Sequence, residues 1–188
     1  MRTKSLKIHI GLLACLAMSA TMAAASTPAA WVLTASTLTY HVSDPFHQVY
    51  GVSHAARGKG ICQNGACQFL AAAPVRSFQS GDSNRDLHML QTVRGGRYPM
   101  VVVRTSLPAA ELHPGMLRVN LQIQLAGHAH IYKQVPFKVT RQGTGLRLRG
   151  TIPATLKDFQ IQSPEFLWIK IHNAIPVKVD MTWQPAGQ

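Results

Sequence analysis

The sequence predicts an all-β fold, an antiparallel sandwich or barrel, with one short helix near residues 84–94. Three observations lead there. Apolar and polar residues alternate over run after run, the period of a strand with one buried face. Glycines and prolines punctuate these runs with turn chemistry. One segment abandons period two for helical spacing. At 188 residues the chain suits one domain with a substantial core.

In chain order, residues 1–25 read as a secretory signal peptide. Arg2, Lys4 and Lys7 form the positive start, Ile8 to Ala25 the apolar stretch, and Ala23-Ala24-Ala25-Ser26 the small-residue cleavage site. Leu12-Leu13-Ala14-Cys15 resembles a lipidation box. Leu16, Ala17 and Met18 continue the apolar run past Cys15, so cleavage near Ala25 is expected instead. Residues 26–30 are a short leader and residues 31–184 the folded domain. Leu38, Tyr40 and Val42 alternate with Thr37, Thr39 and His41 as the first strand. "GICQNGACQF" follows, with Cys62 and Cys67 flanking Asn64-Gly65, a favoured two-residue hairpin turn. In that hairpin the cysteines face each other within disulfide reach. A zinc site needs more ligands than this pair offers, and a redox centre more often shows C-x-x-C. A disulfide staple in an oxidising compartment is expected.

"SGDSNRDLHMLQTVRGGRYP" (80–99) carries the helix. Ser83 and Asp86 are spaced as a capping box, Leu87, Leu90 and Val93 share a face, and Gly95-Gly96 supplies the stop. Strand alternation then returns. Leu117, Val119, Leu121, Ile123 and Leu125 form one face; Val135, Phe137 and Val139 another. Leu146 and Leu148 add a third, and Val177, Val179 and Met181 a last.

Formal net charge is +12. Without Arg2, Lys4 and Lys7, 16 basic residues stand against 7 acidic ones, a net charge of +9. This favours contact with anionic lipid head groups or anionic polymers. The basic residues are scattered and lack interleaved aromatics, so nucleic acid is not the expected partner. Chemistry is sparse. There is no G-x-S-x-G, no phosphate-cradling glycine loop and few carboxylates to pair. His128 and His130 share one face of an extended segment and are weak metal candidates without a third ligand. No cofactor and no enzymatic activity are expected. Arg85 is placed either to pair with an acid at the helix or to meet a ligand head group.

Several stretches together resemble the YceI-like family of exported, lipocalin-like barrels, from about Trp31 to Trp183. They are "STLTYHV…GVSHAARGKG", "SFQSGDSNRDLHMLQTVRGGRYPMVVVR", "LQIQLAGHAHIYKQVPFKV" and "DFQIQSPEFLWIKIHNAIPVKVDM". The second is the most specific, with Ser80-Gly81, Arg85-Asp86 and Tyr98-Pro99 in the family's order. Gln160 replaces a usual glycine, and His128-Ala129-His130 a usual Val-Thr-Lys/Arg turn. The cysteine hairpin is outside the family pattern.

The resemblance implies an eight-stranded antiparallel barrel around a long apolar chain, a polyisoprenoid or isoprenoid quinone. That reading is of a periplasmic or secreted carrier. Its lipid tail is expected against Leu38, Tyr40, Val42, Val101, Val103, Leu121, Ile123, Phe137, Val139 and Leu148. Phe166, Leu167 and Trp168 line the opening or serve as core. Two rival readings stand beside it: a metal-binding or redox-responsive exported protein using His128, His130 and the cysteines, and a structural protein with a filled barrel. Alternation is compatible with either a filled or a hollow interior, and a homodimer is left open.

Overall fold

The computed structural model describes residues 29–43, 48–163, 165, 166, 169, 170 and 172–187. The expected signal peptide, Cys15, residues 26–28, His47, Leu167 and Trp168 lie outside the described residues, as does the side chain of Phe166. The strands are β1 (Ala29–Ser43), β2 (Gln48–Ser53), β3 (Arg57–Gln63), β4 (Ala66–Pro74), β5 (Met100–Pro108), β6 (Gly115–Leu125), β7 (His128–Gln142) and β8 (Gly145–Ile152). The two-residue strands β9 (Glu165–Phe166) and β10 (Ile169–Lys170) follow, then β11 (Val177–Pro185). Helix α1 (Ser83–Thr92) joins β4 to β5.

All main-sheet pairings are antiparallel, in the order β11-β8-β7-β6-β5-β4-β3-β1, and β11 pairs back onto β1. β2 and β3 are two halves of one stave. Both pair with the same edge of β1 in one unbroken register, from Ser43↔Gln48 through Leu38↔Ser53 to Ala29↔Cys62. The result is a closed eight-stranded barrel, in which the outer edge of β2 is tied by the isolated bridge Val52↔Gln79. β1 starts at Ala29, inside the expected leader, because Ala29 and Ala30 pair with Cys62 and Ile61. Backbone pairing, not side-chain pattern, extends it.

The wall is uneven. β6 and β7 share a ladder from Gly115↔Val139 to Leu125↔His128. β5 and β6 share three pairs, Val102–Arg104 with Gln122–Gln124. Below them Thr105 Oγ1 donates to the Asn120 carbonyl at 2.8 Å. Asn120 sits at a register shift against β7, where Gln134 has φ 54° and donates its N–H to Asn120 Oδ1.

The hairpin at Asn64-Gly65 forms as expected. Both residues have positive φ, Cys62 pairs with Cys67, and the disulfide closes across a Cα–Cα distance of 4.0 Å. Ala126 and Gly127, with φ 54° and 86°, make the β6–β7 bend, and His128-Ala129-His130 is the strand end beside it.

Helix α1 forms, but with a different cap and face. Asp82, not Ser83, is the N-cap; its carboxylate accepts from the Asn84 and Arg85 amides at 2.9 and 3.0 Å. Asp86 accepts instead from the Ser80 amide. The C-terminus closes in a Schellman arrangement with Arg94, not a glycine, left-handed. Gly95 N–H donates to the Leu90 carbonyl and Arg94 N–H to that of Gln91. Leu87 is exposed, whereas Met89, Leu90 and Val93 meet the core. The helix rests on the barrel rim, so only its later turns reach apolar ground.

Candidate functional site

The barrel encloses a cavity of about 950 Å³. It arises because inward side chains alternate along every stave while the ring is too wide for them to meet at its axis. Leu38, Tyr40 and Val42 of β1 face it, as do Val101 and Val103 of β5. Leu121 and Ile123 of β6, Phe137 and Val139 of β7 and Leu148 of β8 complete the expected apolar set. Structure thus brings all ten of these residues to one surface.

The floor was not legible in that set. Trp31, Phe69 and Trp183 line the cavity there. Phe69 and Trp183 meet edge-to-face, with centroids 5.1 Å apart. They fit because β3 presents glycines to them. A Cβ on Gly58 would stand 2.5 Å from Trp183 Cη2, and one on Gly60 would collide with the Phe69 ring. Gly60 pairs directly with Phe69 on β4, whereas Gly58 meets Trp183 from β11, two staves away in the ring.

At the other end, α1 lies over the cavity. Arg85, His88, Met89, Thr92 and Val93 recur at helical spacing on its lining face, beside Asp82 and Asn84. Arg85 pairs with an acid at the helix, one of its two expected roles, and also lines the cavity. Its Nε donates to Ser80 Oγ at 3.1 Å, and its Nη2 lies 3.7 Å from Asp82 Oδ2. Asp82 is held below the usual carboxylate range, chiefly by the Arg85 amide hydrogen bond. Tyr40 faces Phe78 at 5.8 Å, and burial, then Asp86, pushes its phenol up. Charged groups therefore gather at one end of an otherwise apolar space. The arrangement supplies burial for a chain-like molecule and polar contacts for one end of it.

His128 and His130 do share a face, with Tyr132. The His130 ring packs 4.6 Å from that of Tyr132. Among the described residues no three His, Cys, Asp or Glu side chains group to hold a metal. A polar anchor beside them was not foreseen. Tyr132 Oη donates to Asp158 Oδ2, which also accepts from the Thr155 amide at 3.0 Å, while Thr155 Oγ1 accepts from the Asp158 amide. The pattern Thr-x-x-Asp at 155–158 was its sequence signal. Burial acts to raise the Asp158 carboxyl, but the hydrogen bonds from Tyr132 and Thr155 outweigh it and leave it below its ordinary value. Burial, reinforced by Asp158, pushes the Tyr132 phenol well up.

No family model matches the sequence, and no curated protein matches it. Solved structures do. A polyisoprenoid-binding domain from Saccharophagus degradans, implicated in plant cell wall breakdown, matches with a TM-score of 0.68 and 16% identity. The match covers 82% of this chain and 98% of that one. BcnA of Burkholderia cenocepacia matches with a TM-score of 0.62 and 16% identity, covering 78% of this chain and 95% of that one. The likeness shows the fold alone, a closed antiparallel β-barrel with one helix, as the resemblance in sequence implies.

Proposed function

We propose that the protein is a non-catalytic carrier of the YceI-like family, holding one long apolar lipid inside the barrel. The lipid is a polyisoprenoid or isoprenoid quinone. The protein works in the periplasm or outside the cell once residues 1–25 are removed, with residues 31–184 as the carrier domain. One observation carries this reading: a cavity of about 950 Å³ that runs from α1 to the Phe69–Trp183 floor between apolar side chains. The polyisoprenoid-binding domain of S. degradans supports the ligand class. The Cys62–Cys67 disulfide supports an oxidising compartment.

The energetics suffice. Burying each CH₂ contributes about 0.8 kcal/mol, so an isoprene unit contributes roughly 4 kcal/mol. About four units offset an association cost of roughly 4–15 kcal/mol. Arg85 and His88 receive the polar end. The cavity lies within one chain, so a homodimer is not needed.

Native mass spectrometry tests the reading. The freshly purified protein is expected to carry an apolar adduct that exchanges for added prenyl quinone. A bare mass, persisting after incubation with polyprenol and quinone, would remove the carrier and leave a barrel without cargo.

A further inference from the structure

The outer surface of the barrel is as unequal as its interior is uniform. Strand alternation that points Leu117, Phe137, Leu148 and Val179 inward points their neighbours out. On β6, β7, β8 and β11 those neighbours include Arg118, Lys133, Lys138, Arg147, Arg149 and Lys178. Asp180 is the one acid on this wall among the described residues. On the other staves the outward charges are fewer: β1, β2 and β4 present no Lys, Arg, Asp or Glu, whereas β3 presents Arg57 and Lys59 and β5 presents Arg104. Positive charge is thus denser on the β6–β7–β8–β11 wall.

The register sharpens the concentration. Lys138 stands directly opposite Arg149, a cross-strand like-charge pair that disfavours folding in isolation. Asp180 is already engaged by Arg147, through Nε to Oδ1 at 2.7 Å and Nη2 to Oδ2 at 2.6 Å, and reaches Arg149 Nε at 3.4 Å. A single carboxylate therefore serves two arginines, and Lys138 adds charge beside them. Two large apolar side chains lie exposed on the same wall: Met116, opposite Lys138, and Ile131, two residues before Lys133.

We propose that this wall, β6–β7–β8–β11, is a docking surface for an anionic phospholipid membrane. Cations attract the head groups, and Met116 and Ile131 enter the interfacial layer. A soluble anionic polymer would use the cations but leave the two apolar side chains in water. The choice of a lipid surface over a polymer rests also on the carrier reading, since an apolar cargo resides in membranes.

Vesicle flotation tests the surface, with protein purified from cells that process it natively. Wild type is expected to float with equimolar phosphatidylcholine and phosphatidylglycerol, not with phosphatidylcholine alone, and to be released by salt. Each cation near the surface is worth about fivefold in partitioning, so Lys138→Gln with Arg149→Gln should lower it roughly thirtyfold. Arg57→Gln with Lys59→Gln removes the same charge from the opposite stave β3 and should change partitioning less than about twofold. Both double variants are to be matched with wild type in thermal unfolding. Equal losses from the two pairs would overturn the proposal, because net charge alone would then explain binding. So would failure to float, or retention on dextran sulfate without binding to vesicles. Wild type that floats yet carries no adduct in the mass spectrum keeps the docking surface and removes the carrier.

Discussion

Gln160 holds a left-handed backbone, φ 52° and ψ 38°, at the end of a short 3-10 turn over Lys157–Phe159. Glycine adopts this conformation without steric cost. A side chain in this region costs about 1–2 kcal/mol, partly offset by the freedom glycine loses on folding. Gln160→Gly is therefore expected to stabilise the protein by roughly 0.5–1 kcal/mol, raising Tm by about 2 °C in calorimetry. Gly58 works the other way. Gly58→Ala places a methyl against Trp183, and the indole must shift; a loss of about 1–3 kcal/mol in urea unfolding is expected. An unchanged midpoint would mean the floor has slack. Residue roles of this kind were only half legible. The expectation at Gln160 came from a departure in a motif. The Gly58–Trp183 contact depends on two strands far apart in sequence, and no local pattern states it.

Elements were read well where one face is buried. Strands betray that face by alternation, so the lining of β1, β6, β7 and β8 was visible in advance, whereas the unbroken Val101-Val102-Val103 of β5 shows no alternation. Helix α1 was visible, and Leu90 and Val93 of its expected face meet the core, whereas Leu87 is exposed because the helix lies on a rim; Arg85 and His88 line the cavity beside them. The anchor joining β7 to the 3-10 turn shows the same limit, since Tyr132 and Asp158 meet only through the tertiary fold. It also makes a prediction with a definite sign. Asp158 lies below its ordinary value, so its contribution is present above about pH 4 and is lost as pH falls through the lower folded value. Tyr132 lies above its ordinary value, so its contribution holds below about pH 10 and fades as pH rises beyond. Tyr132→Phe should cost about 1–2 kcal/mol at neutral pH and flatten the acid limb of stability against pH. Superimposable acid limbs for variant and wild type would show that Asp158 is held by Thr155 alone. The disulfide belongs to this scale too. Cys62→Ala with Cys67→Ala opens a short loop, and a loss of roughly 2 kcal/mol is expected by denaturant titration.

For the molecule as a whole, an unfilled interior has a mechanical signature. Adding bulk to a packed core normally costs 1–3 kcal/mol. Val103 faces open space, so Val103→Trp should change stability by less than about 1 kcal/mol while lowering retention of a prenyl quinone more than tenfold. A large destabilisation with cargo retained would mean the space closes in solution. Sequence conveyed the closed ring only through the order of its motifs, since alternation is common to sandwiches and barrels. It gave no hint that one seam would be thinly stitched. Three pairs join Val102–Arg104 to Gln122–Gln124, and below them a threonine hydroxyl stands in for missing rungs. Such a shell swells unevenly. Around a stouter guest it parts first along that line, while the long β6–β7 ladder stays shut, and the amides of Thr105, Ser106 and Leu107 should trade hydrogen for deuterium sooner than those of Phe137, Lys138 and Val139.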